Sequence, residues 1–204
     1  MKNIFAMPKM TPQRLVTIAI LIALAYVVDQ FKITIIPNQL VVGFGFIVNA
    51  IMGSITGPVY AFLTGAVEDI ITMLLSSNAA NFIPLWTLMD AFLSGLYGLF
   101  FFGREISTKK KKDWLYVSMA VTIITVLGSL ILTPLLIQIY FKTPFVAQFI
   151  AGRWIKVFEI PLRILVIMLI MPQLQRIPEL RKLMTNKKTK ISEGLHPPSD
   201  FSFA

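Results

Sequence analysis

The chain contains no cysteine and a single histidine, His196 near its C-terminus. Disulfides, iron–sulfur clusters and thiolate catalysis are thereby excluded, and one imidazole argues against a histidine-based metal site. Charge is scarce as well. Only 14% of residues are charged, against about a quarter in an ordinary soluble domain. The sequence also lacks a glycine-rich phosphate loop, a Ser–His pair and any nucleotide motif. Adjacent Glu68-Asp69 come nearest to a catalytic carboxylate pair, but neighbours on a helix point about 100° apart and do not share a proton. No enzymatic activity and no cofactor are expected. No inverted repeat is visible either, which disfavours a stand-alone secondary transporter.

Apolar sequence fills the space that these absences leave. Hydrophobic residues make up 56% of the 204, and several runs approach the roughly 20 residues needed to cross a bilayer. A polytopic membrane protein is expected, with no room for a second folded domain. The first apolar run is too long for a signal-peptide core and is read as retained. The formal charge of +9 raises the possibility of nucleic-acid binding, but the cations lie beside apolar runs, where anionic lipid and the positive-inside rule account for them. No nucleic-acid partner is expected.

The runs divide the chain into six helices. A tail, residues 1–12, precedes helix one, which starts at Thr11-Pro12 and spans Gln13 to Phe31. Residues Lys32–Val42 read as an outer loop around Pro37-Asn38. Helix two is short, Gly43 to Ile55, and turns sharply at Thr56-Gly57-Pro58 into helix three, Val59 to Ser77. Gly43, Gly45 and Gly53 suit tight packing. The uncharged loop Ser76–Pro84 suits a gate over a polar solute. Helix four spans Leu85 to Gly103, with Gly95 and Gly98 as a close-packing pair. Helix five spans Asp113 to Phe141, interrupted by Pro134 after Gly128, Ser129 and Thr133, where neighbouring groups must satisfy the freed backbone. Helix six follows the turn Lys142-Thr143-Pro144. The basic tail, residues 176–204, is expected to be partly disordered. Fourteen cations then fall on one side of the membrane and two, Lys32 and Lys142, on the other. That asymmetry places both termini in the cytoplasm. The expected architecture is an all-α, six-transmembrane-helix bundle, with residues 13–175 as its membrane domain.

The most informative stretch is helix six, Phe145–Pro172, where Arg153, Lys156, Glu159 and Arg163 fall on one stripe. A charge in hydrocarbon costs roughly 2.5–3.5 kcal/mol even on the mild insertion scale, so these groups need partners, water or a polar ligand. Glu68, Asp69 and Asp90 are placed at a similar depth. One reading is a structural network in which these acids neutralise Arg153 and Lys156, with Lys156–Glu159 and Glu159–Arg163 pairs added along the helix. The other is a small-solute pocket that keeps a cation for an anionic ligand. Phe82, Trp86, Tyr60, Tyr97, Tyr140, Phe149 and Trp154 surround the cluster as stacking walls or interfacial belt residues. Asn78, Asn81, Thr87 and Gln148 are suited to orienting polar ligand groups or capping helices. The candidate ligand-binding set is Arg153, Lys156, Trp86, Asn78, Asn81, Phe82, Asp90, Tyr97 and Tyr60. Ala19 and Ala23, one turn apart on helix one, either admit a partner helix or reflect the abundance of alanine in membrane helices.

Four segments together resemble the S components of energy-coupling factor (ECF) vitamin transporters, closest to the folate-family branch. They are Ala19-x-x-x-Ala23, the stretch Gly43–Ile70, the stretch Phe82–Phe101, and Arg-Trp-Ile-Lys at Arg153–Lys156. The resemblance covers roughly residues 13–175. It implies a six-helix binding subunit of the prokaryotic plasma membrane that captures a water-soluble vitamin outside the cell. Such a subunit docks on a transmembrane coupling subunit served by two ATPases, with the Ala19/Ala23 face as the docking surface. Folate-binding relatives tend to carry Arg near the end of helix one, where this chain reads Asp29-Gln30-Phe31. On that ground pantothenate ranks slightly ahead of folate. The competing class is a membrane structural or assembly protein whose charges serve only its fold.

Overall fold

A computed structural model describes residues 7–36, 40–75 and 83–184. Helix α1 (Pro12–Asp29) opens as the sequence requires. Thr11 accepts the backbone N–H of Arg14 at 3.3 Å, and Pro12 occupies the first turn, where its missing N–H costs nothing. Two short antiparallel strands follow, β1 (Ile33–Ile36) and β2 (Leu40–Val42), with Ile33 opposite Val42 and Thr34 opposite Val41. This corrects the expectation of a plain loop: the β-branched runs on either side of Pro37-Asn38-Gln39 pair as a hairpin.

Helix α2 (Gly45–Leu75) is two helices joined at Gly57, whose φ of 76° and ψ of 172° are not helical. Side-chain neighbours show that the chain reverses there. Before the break, Asn49 meets Ser94 and Gly53 meets Gly98, so this half runs parallel to α3 (Pro84–Phe101). After it, Phe62 meets Gly95, Gly65 meets Ala91 and Asp69 meets Thr87, so the second half runs antiparallel. The sharp turn expected at Thr56-Gly57-Pro58 is therefore present, and Gly57 supplies the positive φ that other residues resist. Gly53 and Gly98 form the close approach of the two helices. Gly45 has open space where a side chain would lie, and a Cβ at Gly43 would meet, among the described residues, Lys32 Cβ at 3.8 Å. These two do not serve packing.

The next long run is α4 (Lys111–Thr125), a π-helical stretch (Val126–Leu132) and α5 (Thr133–Phe141). The irregularity lies before Pro134, not at it. The expected sixth helix is also divided: α6 (Phe145–Ile150) ends at Gly152, which has φ 118°, and a 3-10 turn (Arg153–Ile155) leads into α7 (Lys156–Leu174). The single charged stripe drawn from residue 145 onward is corrected accordingly. Lys156, Glu159 and Arg163 share α7, whereas Arg153 stands on the turn before it.

The segment beyond 176 begins with a further helix, α8 (Pro178–Met184), whose Leu183 and Met184 are buried in the core. Arg14 fastens it: Nη2 donates to Leu183 O at 2.8 Å while Nη1 donates to Lys9 O at 2.9 Å. Gln175 holds the loop after α3, accepting from Ile106 N and donating to Arg104 O, both at 2.9 Å. Residues 185–204 lie outside the described part. The core joins Ile18, Leu21 and Ala25 of α1 to Val48, Met52 and Ile55 of α2, Phe101 of α3, Val117 and Val121 of α4, and Ile167, Met168 and Met171 of α7. Among the described residues, three helical stretches are, by length and composition, long and apolar enough to cross a membrane: Pro12–Asp29, Lys111–Phe141 and Gly45–Leu75, the last folded back on itself at Gly57.

Candidate functional site

The ends of these elements enclose a cavity of about 1090 Å3, at the upper limit of the roughly 300–1,000 Å3 usual for small-molecule sites. Its charged lining comprises four acids, Asp29, Glu68, Asp69 and Asp90, and four cations, Lys32, Arg153, Lys156 and Arg163. The acids come from α1, α2 and α3. Three of the cations come from the turn after α6 and from α7.

The cations differ in how far they are already answered. Lys32 pairs with Asp29 at 2.8 Å. Lys156 and Arg163 share Glu159, at 2.7 and 2.8 Å, the two intrahelical pairs that the spacing implied. Arg163 also lies over the Phe46 ring, 4.9 Å from its centre. Arg153 is 3% exposed, and its bonds go to neutral acceptors: Nε to Ser129 O at 3.0 Å and Nη1 to Gln148 Oε1 at 2.6 Å. None of the ion pairs among the described residues includes Arg153. The network in which Glu68, Asp69 or Asp90 would neutralise it is not formed. On the acidic side, Asp69 accepts from the Thr87 hydroxyl at 2.6 Å. Glu68 Oε2 is buried and has no hydrogen-bond partner among the described residues. An acceptor left so is costly unless something else donates to it.

Of the nine candidate ligand-binding residues, Arg153, Lys156, Trp86, Asp90 and Tyr97 line this cavity. Tyr60 does not. It lines a separate apolar groove with Leu15, Ile18, Ile22, Leu63 and Val67, because the reversal at Gly57 turns its face toward α1. Asn78, Asn81 and Phe82, with most of the expected gate, fall outside the described residues. Gln148 faces Arg153, Pro134 and Thr143, and Trp154 is 55% exposed on the outer surface, as a belt residue would be. Tyr140 lines the cavity as expected. Sequence reasoning missed Asp29, Lys32, Phe46, Asn49 and Thr72. Asn49 carried a usable signal, a polar side chain in an otherwise apolar run. Ala19 and Ala23 lie exposed on α1, away from buried Ile18, Leu21 and Ala25.

A family model described as "ECF transporter, substrate-specific component" matches residues 13–176. The chain belongs to this family. It is a multi-pass membrane protein and the substrate-binding part of a transporter, not an enzyme. It is 56% identical over 187 residues to the folate transporter FolT of Streptococcus mutans, covering 92% of this chain and 100% of that protein. A folate transporter FolT of Clostridium novyi is 34% identical over 125 residues, covering 61% of this chain and 68% of the relative. Among solved structures, a crystal structure of FolT bound with folic acid superposes with a TM-score of 0.70 at 25% identity. That match spans 80% of this chain and 95% of the other.

Proposed function

We propose that this substrate-specific component binds folate and hands it to an ECF transporter. The observation that carries the reading is the 56% identity along the whole length of a relative named a folate transporter. Against it, the missing arginine at the end of α1 weighs little, so folate now ranks ahead of pantothenate. The chemistry of the cavity agrees. Folate is a dianion at one end, where Arg153 and then Lys156 receive the glutamyl carboxylates, with Arg suited to two-pronged carboxylate binding. At the other end its pterin presents adjacent N–H donors, and buried Glu68 Oε2 is an acceptor in need of one. Trp86 and Tyr97 offer flat surfaces to the rings. A purely structural protein would have no use for a cavity of this size with eight charged walls.

In this reading the protein crosses the membrane six times with both ends in the cytoplasm, the two halves of α2 on either side of Gly57 each crossing once. Residues 13–175 form the membrane domain, preceded by the short tail 1–12 and followed by the basic segment 176–204. The chain supplies recognition only. A transmembrane coupling subunit and two ATPases supply the driving force. Purified protein should be thermally stabilised by folate at micromolar concentration and not by pantothenate. The reverse order would overturn the choice of vitamin, and no shift with either would overturn the reading itself.

Docking rests on α1. Ala19 and Ala23 leave a shallow strip between exposed Leu15, Val16, Ile20 and Leu24, into which a partner helix packs closely. Ala19→Leu or Ala23→Leu should leave folate affinity within about twofold and abolish uptake in whole cells, because a leucine there holds the partner away. Normal co-purification with the coupling subunit would show that this face is not the interface.

A further inference from the structure

Gln148 is 1% exposed, and both functional ends of its amide are engaged. Nε2 donates to Pro134 O and to Thr143 O, each at 3.0 Å, while Oε1 accepts from Arg153 Nη1 at 2.6 Å. The orientation is determined by these partners, since a flipped amide would set its oxygen against two carbonyls. The left-handed turn at Gly152 brings Arg153 back over α6 to meet it.

The other brace on Arg153 comes from the π-helical stretch. Thr133 N–H bonds Gly128 O, five residues back. In that register the next N–H would bond Ser129 O, but the next residue is Pro134, which has none. Arg153 Nε takes the vacant acceptor at 3.0 Å. Both braces are neutral. They hold the guanidinium in one place and leave its charge uncancelled, whereas Lys156 and Arg163 already share the carboxylate of Glu159.

We infer that Gln148 is a positioning residue: it holds Arg153 as an uncompensated cation against the cavity and so sets the preference for an acidic ligand. This rests on the cavity being the folate site. A carboxylate at 148 would cancel the charge of Arg153, while setting its second oxygen against the carbonyls of Pro134 and Thr143. An apolar residue would leave the guanidinium free to turn away.

The test compares the Kd of folate with that of its dimethyl ester, in which both carboxylates are capped, on purified full-length protein. The native protein should prefer folate by roughly 30-fold or more. Gln148→Met and Gln148→Glu should each reduce that preference by roughly tenfold or more, the first through lost positioning and the second through lost charge. A role in folding alone would weaken folate and ester together and keep their ratio at the native value, which would overturn the inference. Should Gln148→Met not fold, Gln148→Asn, which keeps the amide but ends one methylene short of Arg153, gives the same reading. Native protein that binds neither compound would instead overturn the folate assignment. Equal native affinity for both would show that Arg153 does not read a carboxylate, and Gln148 would lose its role with it.

Discussion

Replacing Arg153 by glutamine is expected to lower folate affinity by roughly 30-fold to several thousand-fold. The range corresponds to the loss of about 2–5 kcal/mol when one partner of a desolvated charge pair is removed. Arg153 is chosen over its neighbours for a physical reason. It is buried, its two hydrogen bonds go to Ser129 O and Gln148 Oε1, and neither acceptor carries charge. Lys156→Gln should cost less, because Lys156 already has Glu159 at 2.7 Å and that carboxylate keeps Arg163 when the lysine is gone. Titration calorimetry on the two variants checks the order. Unchanged affinity in both would mean that the folate carboxylates are held elsewhere. A larger loss at Lys156 would mean that the α7 network, and not the turn before it, is the anion site.

The second large effect concerns the fold. Gly98→Ala should destabilise the protein by about 3 kcal/mol, at the upper end of the usual cost of overpacking. A Cβ at Gly98 would lie 2.7 Å from the carbonyl carbon and oxygen of Gly57 and from Cα of Pro58. These are backbone atoms at a forced turn and cannot step aside. Gly95→Ala, three residues earlier on the same helix, is the matched control. Its Cβ would meet Phe62 Cβ and Pro58 O at 3.5 Å, an ordinary contact. Alanine gains about 1 kcal/mol in helix propensity at either position. Gly95→Ala should therefore melt at or above the native temperature while Gly98→Ala melts well below it and yields less monodisperse protein. Equal melting of the two would show that the close approach of α2 and α3 is not a constraint.

Sequence alone determined those features that follow from local chemistry. Apolar runs bounded by cations imply a multi-pass bundle because unpaired charge does not remain in hydrocarbon. Thr11-Pro12 marks the start of α1, and Gly57-Pro58 marks a reversal, because cap and turn residues act on their own backbone. The pairs Lys156–Glu159 and Glu159–Arg163 follow from spacing along one helix, and the observed ion pairs agree. Arg153, Lys156, Trp86, Asp90 and Tyr97 were legible as cavity residues because polar and aromatic groups in apolar spans have few other uses.

Tertiary structure decided the rest. Tyr60 was drawn into the site by its type, but the turn at Gly57 sets it in a groove against α1. The burial of α8 under Arg14 depends on partners distant in the chain, which no local pattern specifies. Gln148 shows the difference most plainly. As a residue it is a generic polar group six positions after a lysine. Its meaning arises only where Gly152 turns Arg153 back over it and Pro134, lacking an N–H, leaves Ser129 O to be filled. The charge that remains on Arg153 is therefore a property of the assembled site, because it depends on which neighbours are neutral and not on how many cations the chain carries.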